Sequence, residues 1–261
     1  TTNRGISMTD KVIFTPYFLD KGYSDLDHMV QADWTVNRPD LPQEDQQARM
    51  AALYEPLAQA VETAVRQGER PVSIAGDCCA SLGMAAGLQR AGMKPKLIWF
   101  DAHGDFNTWE TTPSGFLGGM PLAWLVGRGE QRIMHSLGIK PLAEQDVTLT
   151  DARDLDPLEA EAVDSSIVDH LEEVTDLSSA PLPYGPLWIH FDVDVLNLED
   201  APAVSYPADG GPSARILAEV FEKLAVSRQI KAVSVSLWNP QLDGDRQTEQ
   251  VALELLHDLL A

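Results

Sequence analysis

Short, continuous apolar runs alternate along this chain with longer stretches in which apolar side chains return every three or four residues. The first run, VIFTPYFL from Val12 onward, predicts a strand, and prolines and aspartates between 38 and 45 then mark a turn. Met50, Leu53, Leu57, Val61 and Val65 recur at helical spacing and predict a helix over roughly 46–67. The rhythm repeats with strand PVSIAG and a small-residue helix from about 80 to 90, then strand KLIWF and a helix from about 119 to 127. Strand DVTLT precedes a helix carrying Ala160, Val163, Ile167 and Leu171; strand PLWIHF precedes ARILAEVFEKLAV; strand AVSVSL precedes the closing QVALELLHDLLA. Continuous apolar strands separated by helices predict an α/β fold whose mainly parallel sheet is covered on both faces. Such sheets bind ligands beyond the carboxyl ends of their strands, so function is expected directly after PVSIAG, KLIWF, LWIHF and AVSVSL.

Composition narrows the class. The chain fits one domain, assigned to residues 8–261, with Met8 read as the native start and residues 1–7 as an expression remnant or a disordered lead. A net charge of −21 argues against a nucleic-acid partner, because phosphate contacts need clustered Lys and Arg. No run approaches the ~18 apolar residues of a membrane helix. The start TTNRGISMTDK also lacks the apolar core of a secretory signal, so a cytoplasmic protein is expected. Both cysteines stand side by side in AGDCCAS. Neighbouring Cα atoms sit about 3.8 Å apart, short of the roughly 4.4–6.8 Å a disulfide spans, so Cys78 and Cys79 are expected as two free thiols.

The chemistry gathers at strand ends. KLIWF runs into DAHGDFN, where alternation in an extended backbone puts Asp101, His103 and Asp105 on one side. HFDVDVLN places Asp192 and Asp194 two apart at another strand end. Crowded carboxylates repel and lose hydration unless a cation sits among them, so the two elements point to one shared metal site. Oxygen donors with one or two nitrogens suit Mn²⁺, and two ions bridged by aspartates would activate water for hydrolysis.

These motifs resemble those of the ureohydrolase family, which includes arginase, agmatinase and formiminoglutamase. DAHGDFNT, FDVDVLN with its following APAVSYPADGG, and DARDLDPLE at 151–159 carry the resemblance, which runs from the strand before Asp77 to the region of Pro240. It implies a three-layer arginase-like α/β fold, a homo-oligomer and a binuclear manganese centre. The implied reaction hydrolyses a C–N bond in a small, amino-acid-like guanidine, N-hydroxyguanidine or amidine. By position, Asp101, His103, Asp105, Asp192 and Asp194 would hold metal. Asp105 and Asp192 would help bridge the ions and, with His103, serve catalysis. Asn107, Thr112 and Ser114 match positions that hold a substrate α-carboxylate, and Asp156 matches one that approaches its α-amino group.

The departures from the family pattern are specific. Cys78, in GDC, stands at the metal-binding histidine of the family's G-D-H. A thiolate there would favour Zn²⁺ or Fe²⁺, or leave the site partly occupied by manganese. Otherwise Cys78 is a small buried apolar side chain and one metal is absent. Cys79 is expected to pack into the following helix. The family's G-N-L-H-G, whose histidine shuttles protons, is GFLGG here, with Gly118 in place of the imidazole. Leu237, in SLWNP, replaces the carboxylate that grips the substrate guanidinium. An unpaired buried guanidinium is costly, which leaves a less cationic substrate, another acid such as Glu110 or Asp245, or lost turnover. The N-hydroxyarginine hydrolases are similar in carrying a cysteine at the metal site. The alternative is a metal-binding but catalytically inactive or regulatory member. His190 is expected to orient a metal carboxylate. His28 reads as a surface side chain, and Trp109 and Trp238 as a wall over the substrate or as loop packing.

Overall fold

Strands that are apolar on both faces must be covered twice, and the computed structural model, which describes residues 8–236 and 238–261, covers its sheet in that way. In chain order, β1 (Asp10–Thr15), the hairpin of β2 (Tyr17–Phe18) and β3 (Lys21–Gly22), and β4 (Thr35–Val36) precede α1 (Gln46–Arg66). Then come β5 (Arg70–Ala75), α2 (Ser81–Arg90), β6 (Lys96–His103), α3 (Pro121–Leu125), α4 (Arg132–Ser136) and β7 (Val147–Asp154). The remainder comprises α5 (Pro157–Asp164), β8 (Asp169–Leu171), α6 (Asp176–Ser179), β9 (Leu187–Asp192), α7 (Ala214–Val226), β10 (Ile230–Ser236) and α8 (Gln247–Leu260).

Among the described residues, eight strands form one parallel sheet in the order β4-β1-β5-β10-β9-β6-β7-β8. Trp99 and Trp188 point to the side packed by α1 to α5, with Leu57 and Val61 of α1 and Leu82 of α2. Ile98, Phe100, Ile189 and Phe191 point to the other, against α6, α7 and α8. Phe221 of α7 meets Phe100 and Phe191 edge-on with ring centres 5.2 Å away. Each such buried side chain stabilises the fold by about 1.5–3 kcal/mol. The result is the three-layer arrangement expected from the motifs.

This strand order decides where chemistry can gather. Although far apart in sequence, β5, β10, β9 and β6 are lateral neighbours, and their carboxyl ends lie side by side. Ser236 pairs with Ala75 on one flank and Asp192 on the other, while His190 pairs with Trp99 and Ser234.

Two helices differ from expectation. The helix expected to carry Ile167 and Leu171 ends at Asp164: Ser166 Oγ donates to Val163 O at 2.7 Å, Ile167 is exposed, and Leu171 lies in β8 beside β7. A serine hydroxyl that satisfies a terminal carbonyl favours an end over another turn. The helix expected over 119–127 is shortened to α3, closing near Gly127, whose φ of 85° suits glycine. Residues 1–7, read as a lead segment, and Leu237 lie outside the described residues.

Candidate metal centre

The chain after β5 turns sharply because Gly76 lets it press against another backbone: a Cβ there would lie 2.2 Å from Tyr17 O. Asp77 fixes the turn, accepting from Leu19 N at 2.6 Å and Cys79 N at 2.8 Å. The adjacent cysteines consequently diverge. Cys78 enters the pocket, whereas Cys79 is fully buried with its Sγ 3.5 Å from Leu117 O. Both are free thiols.

Backbone N–H groups orient the acids. Asp101 accepts from His103 N at 2.7 Å, Asp192 from Asp194 N at 2.9 Å, and Asp194 from Ala102 N at 3.2 Å. Two groups of donor atoms result, each with its atoms within 4.8 Å of one another: Cys78, Asp101 and His190 in one, Asp101, His103 and Asp194 in the other. In the first, Cys78 Sγ lies 3.7 Å from Asp101 Oδ2 and 3.3 Å from His190 Nε2, with Asp192 Oδ2 adjoining at 2.8 Å. In the second, His103 Nδ1 lies 3.3 Å from Asp101 Oδ1 and 3.1 Å from Asp194 Oδ2.

The carboxylate common to both groups is Asp101; of the two expected bridges, neither Asp105 nor Asp192 belongs to a group, although Asp192 Oδ2 adjoins Cys78 Sγ. Asp105 follows the end of β6 with a φ of 48°, so strand alternation no longer governs its direction. It still lines the same pocket, and its Oδ2 is buried without a hydrogen-bond partner. A partnerless buried carboxylate oxygen among acids is the situation a cation relieves, so the donor set fits a divalent metal.

The electrostatics agree. Burial, reinforced by the neighbouring acids, pushes the carboxyls of Asp105 and Asp192 well up, and burial with Asp194 nearby raises Asp101 to about 6. Burial and then Asp192 push the Cys78 thiol up. Burial opposes charge on His103, but hydrogen bonds to Asp101 and Asp194 outweigh it and raise the imidazole to about 12. Every one of these shifts favours the less negative form, the direction in which a crowded set of acids calls for positive charge.

His190 differs from its expected role. Its ring nitrogens bond to Ser234, Ser236 and Cys78 rather than to a metal carboxylate, and the ring stacks on Trp99 with centres 3.6 Å apart. Burial lowers it to about 3, keeping the ring neutral.

The expected substrate residues Asn107, Thr112, Ser114 and Asp156 all line the pocket. Asn107 Nδ2 donates to Asp156 Oδ2 at 3.1 Å, and Thr112 Oγ1 lies 3.4 Å from Ser114 Oγ. Sequence reasoning passed over Glu159, which ties this rim to the metal loop by accepting from Phe106 N at 2.8 Å and Asp156 N at 3.2 Å. Its place three residues after Asp156 is the signal, because a helix N-cap followed by Glu at N3 forms a capping box.

The replacement at Gly118 has a structural counterpart: a Cβ there would lie 2.3 Å from the Phe116 ring. Phe116 stands between Phe18 and Tyr206, with ring centres 6.2 and 5.1 Å away, and the three form an aromatic wall of the pocket. Trp238 also lines it, while Trp109 lies outside, bonded to Glu130. The proposed substitute acids do not line this pocket: Glu110 is exposed and bonded to Thr108, and Asp245 accepts from Gln247 N at the surface. His28 pairs with Glu249 at 2.7 Å, away from the pocket.

With this geometry in view, the sequence model of the Arginase family matches residues 17–261. The chain belongs to the arginase family. Arginase of Bacillus subtilis is 30% identical, the alignment covering 98% of this chain and 92% of that protein. The N(omega)-hydroxy-L-arginine amidinohydrolase of Streptomyces lavendulae is also 30% identical, over 85% of this chain and 77% of that protein. A crystal structure of Bacillus subtilis arginase superposes with a TM-score of 0.83 at 29% identity, covering 97% of this chain and 98% of the other. Within the arginase family fold, Cys78, Asp101 and His190 make an unusual cluster of sulfur, oxygen and nitrogen donors. Among the described residues, no helix is long and apolar enough to cross a membrane.

Proposed function

We propose that this arginase-family protein hydrolyses a C–N bond in a small amino-acid-like substrate, with an N-hydroxyguanidine preferred over a guanidinium. The observation that carries the reading is Asp101 shared by two donor groups, beside the buried, partnerless Asp105 Oδ2. Cys78, Asp101, Asp105 and Asp192 would hold one ion and His103, Asp101, Asp192 and Asp194 a second, with Mn²⁺, Zn²⁺ or Fe²⁺ as the ions the donors suit. When bound, such ions supply Lewis acidity and lower the pKa of water.

The chain's own residues do the rest. Asn107, Thr112, Ser114 and Asp156 bind and orient the amino-acid end, and Glu159 keeps that rim in register with the Asp105 loop. Asp105, which lines the pocket, would take a proton from the attacking water. Water adds to the guanidino carbon, the bond to the side-chain nitrogen breaks, and that nitrogen departs as an amine with a proton. The other product is urea or hydroxyurea. Leu237 supplies no countercharge for a buried guanidinium, which favours the less basic substrate. The similarity to the Streptomyces lavendulae amidinohydrolase supports the same choice.

Product release from arginine, N-hydroxyarginine, agmatine, guanidinobutyrate and formiminoglutamate, measured at matched metal loading, tests the reading. Hydroxyurea from N-hydroxyarginine is expected to form fastest. Faster release from arginine than from every less basic analogue overturns the substrate choice. Binding of an amino-acid analogue with no turnover across the panel favours the second reading, an inactive or regulatory relative. The replacement of an imidazole by Gly118, with Phe116 close against it, speaks for that reading.

A further inference from the structure

The nitrogen donor missing at position 78 has a counterpart on another strand. His190, at the carboxyl end of β9, is two residues before Asp192, and alternation puts both side chains on the same face. Its ring is 1% exposed and held on three sides. Trp99 stacks on it at 3.6 Å with 19° between planes, and Ser234 Oγ lies 2.8 Å from Nδ1. Trp188 Nε1 donates to that same Ser234 oxygen at 2.9 Å. With Nδ1–H donated to Ser234, the lone pair of Nε2 faces Cys78 Sγ at 3.3 Å. Ser236 Oγ, 3.0 Å from Cys78 Sγ and 3.3 Å from Nε2, is placed to donate to a thiolate.

We propose that His190 is itself a metal ligand, its Nε2 taking the place given above to Asp105 and joining the Cys78 thiolate and the Asp101 and Asp192 carboxylates in a site suited to Zn²⁺. The proposal rests on reading the cluster as a metal centre and adds a ligand from outside the DAHGD and D-x-D motifs. A tetrahedral zinc ion with its usual bond lengths separates sulfur and nitrogen ligands by about 3.5 Å, close to the spacing seen. Asp101 Oδ2, 3.7 Å from Sγ, fits the same spacing, and Asp192 Oδ2, at 2.8 Å, would move outward to complete the set. Ser234 then has the role usual for a residue behind a metal-binding histidine: it fixes the ring and its tautomer. On this reading, the chain retains a nitrogen ligand while moving it from the end of β5 to β9, and it gains a sulfur.

The test uses the full chain with ¹⁵N-labelled histidine, loaded with ¹¹³Cd²⁺ as the probe. A sulfur-shifted cadmium resonance with scalar coupling to Nε2 of one histidine is expected. His103 offers Nδ1 to its neighbours instead, so the coupled nitrogen distinguishes the two rings without a variant. His190→Gln should remove that coupling and weaken zinc binding at least about tenfold in chelator competition. Circular dichroism checks its fold, and the wild-type coupling decides if the variant does not fold. A sulfur-shifted resonance without coupling to a histidine Nε2 overturns the proposal and leaves the metal centre standing. Absence of the sulfur shift overturns the metal-centre reading at Cys78, and this proposal with it.

Discussion

The two halves of the donor cluster meet at Asp101 and differ in the donors that surround it. The Cys78 half is deeply buried, built from sulfur, oxygen and imidazole, and held by the ends of β5, β6 and β9. The His103 half opens to the pocket, with the His103 side chain 26% exposed, and offers one nitrogen among carboxylates. A buried thiolate recovers its lost hydration best from a soft ion, whereas carboxylate oxygens suit a harder one. One pocket can therefore present two different metal preferences, with the shared carboxylate coupling them.

The strongest test removes what the halves share. Asp101→Asn should strip metal from both and lower turnover by roughly a thousandfold, since the several kcal/mol of charge stabilisation supplied by metal are lost. Metal analysis and a product assay check it, and full metal content in this variant would break the idea of a joint centre. Next, Cys78→Ser should weaken zinc retention about tenfold or more, while His103→Asn should leave the sulfur half loaded. Equal losses in both variants, read by metal analysis after dialysis, would erase the difference between halves.

Smaller effects should come from the braces beneath each half. Glu159 secures the loop that carries Asp105, and Glu159→Gln should cost about 2 kcal/mol by leaving backbone donors facing an amide, seen in denaturant unfolding. Asp20 braces the segment whose Leu19 N–H holds Asp77, and it is bonded to Gln46 at 2.7 Å and Arg49 at 2.6 Å. Burial works against its charge, but hydrogen bonds from Gln46 and Arg49 prevail and lower its pKa. A depressed carboxylate stabilises the fold above its unfolded pKa and ceases to do so as pH falls through the folded value. Asp20→Asn should therefore cost about 1 kcal/mol near neutrality, with the difference from the parent chain shrinking on acidification. A gap independent of pH would remove the carboxylate's charge from the account.

The sheet and the acids at its strand ends were legible because apolar runs and two-residue alternation are local signals. Asp101, His103, Asp192 and Asp194 follow such runs closely enough for the pattern to carry into the pocket. Asp105 shows where it stops: one left-handed residue removes the alternation and, with it, any reading of which acid is shared. His190 was legible as near a metal carboxylate but not as the neighbour of Cys78. That contact depends on the sheet order, which places the ends of β5 and β9 on either side of β10. Ile167 and Leu171 mimic helical spacing while belonging to a turn and an edge strand, and tertiary pairing decides that contest. The two-residue strands are too short to leave a periodic trace.

The closeness of the Phe116 ring to Gly118 also constrains how this pocket can change over generations. A side chain acquired at 118 while Phe116 keeps its position meets an occupied volume, so it requires the ring to move. Shrinking Phe116 first opens the aromatic wall without restoring an imidazole. A side chain at 118 and the present Phe116 rotamer thus exclude one another, so the two positions form one unit of the pocket wall.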